Sequence, residues 1–287
     1  MARTATSNPV ERVGRQAGQA VEDVARSPWV EWLARFGYAA RGVVYGLIGI
    51  LALKTAIGAG GATTDSQGAV QAIAQQSRFL LILVAIGLFG YAVWRFVQAV
   101  IDPEHKGTDP KGLAQRGAMF FSGIAYGTLA IAAARIASGS QSAAQGGDGG
   151  TQGMTANLMA QPFGRWLVAL AGIAVIVSGV YQLKEGWQEK FRRRLNLDEL
   201  PGTLQHRVVQ TGKMGLLSRG FVFLIIGLFL IVAAWQADPS EARGLGGALA
   251  TLAQQPYGPW LLGLVALGLI AFGIYSLVEA RYRRIVL

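Results

Sequence analysis

Six apolar segments of about twenty residues each constrain what this chain can fold into. They lie near 33–57, 78–101, 115–138, 164–187, 212–237 and 259–283. An α-helix needs about twenty apolar residues to cross the hydrocarbon core of a bilayer. Only 15% of the 287 residues are charged, well below the share in soluble domains. The sequence therefore predicts an all-α polytopic membrane protein with six transmembrane helices. The residue alternation of a membrane β-barrel is absent.

The positive charges are distributed unevenly around these segments. All but five of the 26 Lys and Arg residues lie before the first span, between the second and third, between the fourth and fifth, or after the sixth, adjoining span ends included. The exceptions are Lys54, Arg78, Arg135, Arg165 and Arg243. The positive-inside rule then predicts that both termini and the basic loops are cytoplasmic. Because the net charge of +10 is spread over segments beside spans, it indicates topology and not nucleic-acid binding; membrane lipids, anionic ones included, are the expected partners.

The first 32 residues differ in character from the spans. They mix Arg with Glu and Asp and have no apolar core of the kind a secretion signal needs. Val10, Val13, Ala17, Val21 and Val24 fall on one helical face, so the sequence predicts a weakly amphipathic cytoplasmic segment over 1–32. The chain has no cysteine, which excludes disulfides and thiolate chemistry.

An internal repeat organises the spans. Arg35, Arg41, Gly42 and Tyr45 in the first span recur in the third as Arg116, Ser122, Gly123 and Tyr126, and in the fifth as Lys213, Arg219, Gly220 and Phe223. The even-numbered spans repeat as well, because the segment Gln-Pro-aromatic-Gly occurs at 161–164 and 255–258. Fifteen residues separate Phe79, Trp166 and Trp260 from Trp94, Tyr181 and Tyr275, and four more lead to Gln98, Glu185 and Glu279.

Three units of this kind predict three helical hairpins that share one topology. Such parallel repeats are related by an axis along the membrane normal, which suggests a pseudo-threefold bundle. The expected divisions are 1–32 for the N-terminal segment, 33–102 for the first repeat, 103–187 for a loop and the second repeat, and 188–287 for a basic loop, the third repeat and a short cytoplasmic tail. The Gly-rich outer connections predict short amphipathic helices before each even-numbered span, either on the outer surface or re-entrant.

With its repeated Arg-Gly and Gln-Pro-aromatic-Gly segments, the chain resembles the bacterial membrane proteins grouped as domain of unknown function 1206. The resemblance covers nearly all of the chain after residue 30. It implies a six-span protein of the bacterial inner membrane and brings no catalytic residues with it. Ser122 departs from the pattern, because the other two repeats have an arginine there.

Polar residues near the cytoplasmic ends of the spans form the candidate site. Arginines within a span are costly unless they are paired, and these lie at a depth similar to that of the acidic and amide residues of the even spans. The predicted polar cluster comprises Arg41, Arg219, Glu185, Glu279, Gln98 and Ser122. Only the third repeat carries both signs of charge, so we expect Glu185 to reach across a repeat boundary to Arg41 or Arg219. Interhelical pairing and a ring around a permeation or lipid site are both open.

Small residues on the same helical faces predict a packing seam. Glycine lets helix backbones approach closely, and GxxxG pairs occur at Gly42 and at Gly123. The predicted seam comprises Gly42, Gly49, Gly123, Gly127, Gly220 and Gly227. Packing within the bundle is the preferred interpretation, and a dimer contact is the alternative. Most of the Trp residues, among them Trp29, Trp32, Trp166, Trp235 and Trp260, are expected to anchor span ends at the membrane surface.

No enzyme signature was found. HExxH, GxSxG and nucleotide-binding loops are absent, and the two histidines, His105 and His206, fall in different loops. We therefore expect no catalytic residues, no cofactor and no metal. Two function classes are open: a structural or interaction protein that binds lipids, membrane proteins or further copies of itself, and a channel or transporter, with anions as the expected cargo along the pseudo-threefold axis.

Overall fold

Six long helices and three short ones make up the computed structural model of the chain, which describes residues 28–61, 63–103, 106–140 and 148–284. The helices are α1 (Pro28–Ala56), α2 (Ser66–Gln76), α3 (Arg78–Val100), α4 (Pro110–Ala137), α5 (Asp148–Met159), α6 (Gly164–Trp187), α7 (Gly202–Gln236), α8 (Leu245–Ala253) and α9 (Gly258–Tyr282). The six long helices are apolar and long enough to cross a membrane. The predicted N-terminal segment lies almost wholly outside the described residues.

The helix boundaries agree with the predicted spans except at three N-termini. Helix α7 begins at Gly202, ten residues before the predicted span, and α1 and α4 begin at Pro28 and Pro110, each five residues before it. Proline at the first helical position is compatible with a helix start, since its missing N–H needs no partner there. The early turns of α7 bury Val208 and Val209, so they belong to the packed bundle although they are too polar to be recognised as part of a span.

The bundle is assembled chiefly between repeats. The last helix of each repeat packs closely along the first helix of the next: α3 on α4, α6 on α7, and α9 on α1, which closes the cycle. The chain therefore forms three equivalent seams around one centre. This is the pseudo-threefold arrangement of three repeated units that the sequence predicts.

The predicted glycines lie at these seams. A Cβ on Gly42 would come within 2.8 Å of the carbonyl oxygen of Gly273, and one on Gly220 within 2.9 Å of that of Gly179. Gly49 and Gly227 make similarly close contacts with α9 and α6, and Gly123 lies against the ring of Phe96. The contact at Gly127 is looser, because a Cβ there would lie 3.9 Å from the methyl group of Ala92. Seam glycines thus join neighbouring repeats within the molecule.

The two helices of the second repeat depart from the hairpin prediction. Helices α1 and α3 pack on each other, and so do α7 and α9, but α4 and α6 do not pack along their length. The glycine that lets the hairpin close is Gly37 in the first repeat and Gly215 in the third, each against an aromatic residue of the partner helix. The second repeat has Ala118 at that position. The six-helix ring is therefore open between α4 and α6.

The outer connections contain the predicted short helices α2, α5 and α8, at the end of the bundle opposite the basic loops. Helices α6 and α9 both begin at the glycine of a Gln-Pro-aromatic-Gly segment. Its aromatic residues, Phe163 and Tyr257, adopt a left-handed backbone with φ of 62°. The glycines that follow are required, because a Cβ on Gly164 or Gly258 would lie 2.0 Å from a backbone carbonyl oxygen. This segment breaks the chain between a short helix and a span.

In the first two repeats, the basic residue that opens the repeat caps a neighbouring helix. Arg35 donates to the carbonyl oxygens of Ala280 and Arg281 at the end of α9. Arg116 donates in the same way to Ala99 and Val100 at the end of α3. These carbonyls have no partner within their own helix, and the negative end of the helix dipole favours a cation there.

Candidate functional site

A buried ion pair joins the first and third repeats near the basic end of the bundle, which is the end that carries the loops 101–109 and 188–201. The guanidinium of Arg41 on α1 donates to the carboxylate of Glu279 on α9. It also donates to the hydroxyl groups of Tyr91 and Ser276. Arg283 pairs with the same carboxylate from the next turn. Glu279 therefore serves two arginines at once.

A second arginine lies beside this pair without a carboxylate of its own. Arg219 on α7 donates to the side-chain oxygen of Gln182 at 2.9 Å and to the hydroxyl of Tyr45 at 3.2 Å. The rings of Tyr45, Phe223 and Phe272 surround its guanidinium at 4.6 to 5.2 Å. Cation–π contacts of this kind contribute about 0.5–2 kcal/mol each and leave the charge in place.

A third arginine of the spans has the same kind of neutral environment. Arg95 donates to the hydroxyl of Tyr91 at 2.5 Å and to the side-chain oxygen of Gln98 at 3.2 Å. In the described part of the chain, no carboxylate lies within ion-pairing distance of Arg95 or Arg219. Among the described residues, the cluster of Arg41, Arg95, Arg219 and Arg283 therefore contains four arginines and one carboxylate, that of Glu279.

Aromatic rings fill the space between these charges. Phe272 packs against two guanidinium groups, 5.0 Å from that of Arg41, which is buried, and 4.9 Å from that of Arg219, which is partly buried. Tyr91 makes edge contacts with Tyr38 and Tyr126, with ring centroids 5.1 and 4.6 Å apart. Such edge-to-face packing is the favoured geometry for buried rings. At this level the centre of the bundle is packed with aromatic side chains around cations.

The structure corrects the predicted role of Glu185. Its carboxylate is buried, but it pairs with Arg194 of the adjoining loop at 2.8 Å, and it forms no ion pair with Arg41 or Arg219. The repeat-crossing acid is Glu279. The reason is the closed cycle of seams: α9 packs along the whole of α1, which brings Glu279 against Arg41, whereas α6 packs on α7 and leaves Glu185 at the basic loop.

The other members of the predicted cluster divide in the same way. Gln98 is buried and accepts from Arg95, so it joins the cluster. Ser122 is half-buried and, among the described residues, donates to none of the cluster residues. It stands where the other two repeats have an arginine, and the hairpin of its repeat is open. His206 takes no part, His105 lies outside the described residues, and among the described residues no group of acidic or histidine side chains could hold a metal ion.

Sequence reasoning missed several residues of the cluster. Arg95, Gln182 and Ser276 lie three residues before Gln98, Glu185 and Glu279, so the repeat register itself marks them as polar at equivalent positions. Counting back four more residues from each of these three reaches Tyr91, Ser178 and Phe272. That register was the available signal. What it could not show is which repeat supplies the partner of each side chain.

Comparisons with known proteins agree with the repeat. A family model described as Domain of Unknown Function (DUF1206) matches three segments, 36–102, 118–189 and 214–283. A Bacillus subtilis (strain 168) protein described as "Uncharacterized protein YxxB" is 39% identical over 260 residues, which cover 89% of this chain and 92% of that protein. No solved structure matches the chain.

Proposed function

Because the chain belongs to the DUF1206 family, which carries no assigned activity, we propose its function from the site: it is an integral membrane protein that binds anionic lipid through the buried arginine cluster. The observation that supports this is the unbalanced charge of the cluster. Among the described residues, Arg95 and Arg219 are held only by neutral oxygens and aromatic rings. A cation inside a bilayer costs several kcal/mol unless an anion accompanies it.

The position of the cluster supports a lipid as that anion. Arg41 lies about 12 Å along α1 from the predicted start of the first span at residue 33, and its side chain pairs with Glu279 three residues before the end of α9. The charges therefore lie within the basic half of the predicted spans, deeper than the headgroup level, where a lipid phosphate drawn inward would accompany an otherwise costly cation. With the basic end cytoplasmic, as the positive-inside rule predicts, the lipid belongs to the inner leaflet of a bacterial inner membrane.

The proposal assigns the chain a binding role and not a catalytic one. The carboxylate of the cluster, Glu279, is engaged by Arg41 and Arg283, which makes it a poor general base. The alternative function is a channel or transporter for small anions, which the same positive charge favours. Aromatic packing around Phe272 and Tyr91 argues against an open path at this level.

The test is to compare lipid binding by the purified protein and by two arginine variants. Native mass spectrometry would count the phosphatidylglycerol and phosphatidylcholine molecules that each protein retains from mixed nanodiscs. We expect Arg219→Gln to lower the affinity for phosphatidylglycerol roughly tenfold, since a lost charge-assisted hydrogen bond costs about 1.5–3 kcal/mol. Arg243→Gln is the matched control, because Arg243 also packs on an aromatic ring and lies at the opposite end of the bundle.

Equal retention of phosphatidylglycerol by the wild-type protein and Arg219→Gln would contradict the proposal. A second measurement separates the two functions. Chloride or phosphate flux into protein-containing liposomes, above that of protein-free liposomes and reduced by Arg219→Gln, would favour the anion channel instead.

A further inference from the structure

The open second repeat exposes positions that the other two repeats bury. Adding 87 residues to a position in α3 gives its equivalent in α6, and adding 81 to a position in α1 gives its equivalent in α4. By this register, six residues of the second repeat between Arg116 and Glu185 are exposed although their counterparts in both other repeats are buried: Ala118, Ala125, Ala171, Ala174, Val177 and Tyr181. We call this surface between α4 and α6 the repeat-2 groove.

Neighbouring residues show that this exposure is not the ordinary exposure of a lipid-facing helix. Ile173, next to Ala174, is exposed, and so are both of its equivalents, Ile86 and Leu267. That position faces outward in every repeat. Ala174 is exposed while its equivalents, Gly87 and Gly268, are buried against the partner helix of their hairpin. The groove is therefore an inner face of the bundle that repeat 2 leaves uncovered.

Sequence differences account for the opening. At the cluster level, the first repeat closes its hairpin with Arg41 and Tyr91, and the third with Arg219 and Phe272. The second repeat has serine at both positions, Ser122 and Ser178. The hydroxyl of Ser178 donates to its own helix, to the carbonyl oxygen of Ala174 at 2.8 Å. The groove wall thus presents an apolar surface with its polar group already bonded.

The inner end of the groove meets the arginine cluster. Gln182 follows the groove residue Tyr181 on α6, and its side-chain oxygen holds Arg219. Arg219 is only partly buried and has no carboxylate partner among the described residues. At this same end of the groove, Arg194 of the basic loop donates to the hydroxyl of Tyr181. An apolar groove thus runs along the spans and ends at positive charge near the basic end.

We propose that the repeat-2 groove is the acyl-chain site of one anionic phospholipid, whose phosphate meets Arg219. This inference rests on the proposed function and adds where the lipid lies and how it enters. The occupant follows from charge complementarity: an apolar chain fits the exposed alanine and valine face, and an anionic headgroup fits the uncompensated arginine. Because the ring of described helices opens sideways between α4 and α6, the lipid enters laterally from the bilayer.

The experiment uses a phosphatidylglycerol with a photoactivatable acyl chain, incorporated into nanodiscs with the full-length protein. After irradiation, mass spectrometry locates the labelled peptides. We expect labels on groove residues of α4 and α6. Ala174→Trp fills the groove and should reduce this labelling at least fivefold, whereas the matched control Ile173→Trp, on the outward face of the same helix, should leave it unchanged. Ala174→Ile is a milder second variant for the case that the tryptophan variant does not fold.

The outcomes separate this inference from the proposed function. Groove labelling that Ala174→Trp removes and Ile173→Trp keeps supports the inference. Labelling elsewhere, with phosphatidylglycerol retention that falls in Arg219→Gln but not in Ala174→Trp, overturns the groove and leaves the proposed function standing. Retention that neither variant alters overturns both. Cross-links between two copies of the chain through α4 or α6 would assign the groove to a dimer contact and overturn the lipid assignment.

Discussion

At the scale of single residues, the repeat position that holds Arg41, Ser122 and Arg219 has a different role in each unit. Arg41 pairs with Glu279 across a repeat boundary, Arg219 is held by a glutamine and aromatic rings, and Ser122 replaces the arginine altogether. The same repeat position therefore holds an ion-paired arginine in the first unit and a serine beside the opening in the second. In the third unit it holds an arginine that has no carboxylate partner among the described residues. The repeat conserves the place of the side chain in the fold and not its chemistry.

The ion pair of Arg41 and Glu279 can be tested by a double-mutant cycle. Breaking a buried pair on one side typically costs about 3–5 kcal/mol. We expect Arg41→Ala and Glu279→Gln each to lower the unfolding temperature in detergent, and the double variant to lose less than the sum of the two. Glu185→Gln is the control with a smaller expected effect, because its partner Arg194 is partly exposed. Additive losses from Arg41→Ala and Glu279→Gln would show that the pair is not coupled.

At the scale of helices, close contact between repeats depends on glycines at particular turns. Gly42 lies against the backbone of Gly273 at the seam of α1 and α9, while a Cβ at Gly46, one turn further along α1, would meet no atom within 4 Å. The two glycines of this GxxxG pair are therefore not equivalent. Only one of them is required for the seam.

Alanine at these two positions gives a direct comparison. Gly42→Ala should force α1 and α9 apart and lower the free energy of unfolding by about 1–3 kcal/mol, the usual cost of overpacking. Gly46→Ala should leave stability unchanged or raise it, since alanine is the better helix former. Thermal unfolding of both variants in the same detergent is the measurement. A loss of stability in Gly46→Ala as large as that in Gly42→Ala would contradict the assignment of the seam.

At the scale of the whole molecule, three seams close a cycle, while one hairpin of three stays open. The three seams follow the threefold repeat of the sequence. The opening between α4 and α6 breaks this symmetry, because the other two hairpins are closed. The positive charges distinguish the two sides of the membrane that the bundle crosses. The orientation of the chain therefore decides which leaflet supplies the proposed lipid.

Orientation can be measured with single cysteines, because the chain has none of its own. An impermeant thiol reagent added outside should label cysteines at Ala59, Ala160 and Ser240, all exposed at the end opposite the basic loops, and should not label one at Ala114. Ala242 is unsuitable as a labelling site because it is fully buried. Labelling at Ala114 from outside would reverse the orientation and move the lipid site to the other leaflet.

The sequence by itself determined the six spans, the three repeats and the glycine seams, because span length, charge bias and glycine spacing are properties of short segments. The thickness of the bilayer sets the span length, and the charge bias of the loops sets the orientation. It also marked Arg41, Arg219, Gln98 and Glu279 as members of one polar level. Only the tertiary structure decided their partners. Side chains at equal depth in a bundle can meet several neighbours, and the seam that closes the cycle, α9 on α1, selected Glu279 over Glu185. The opening of the second repeat was likewise decided by packing: the repeat pattern marks Ser122 as a departure, but the effect of Ala118 and Ser122 appears only where two helices must approach.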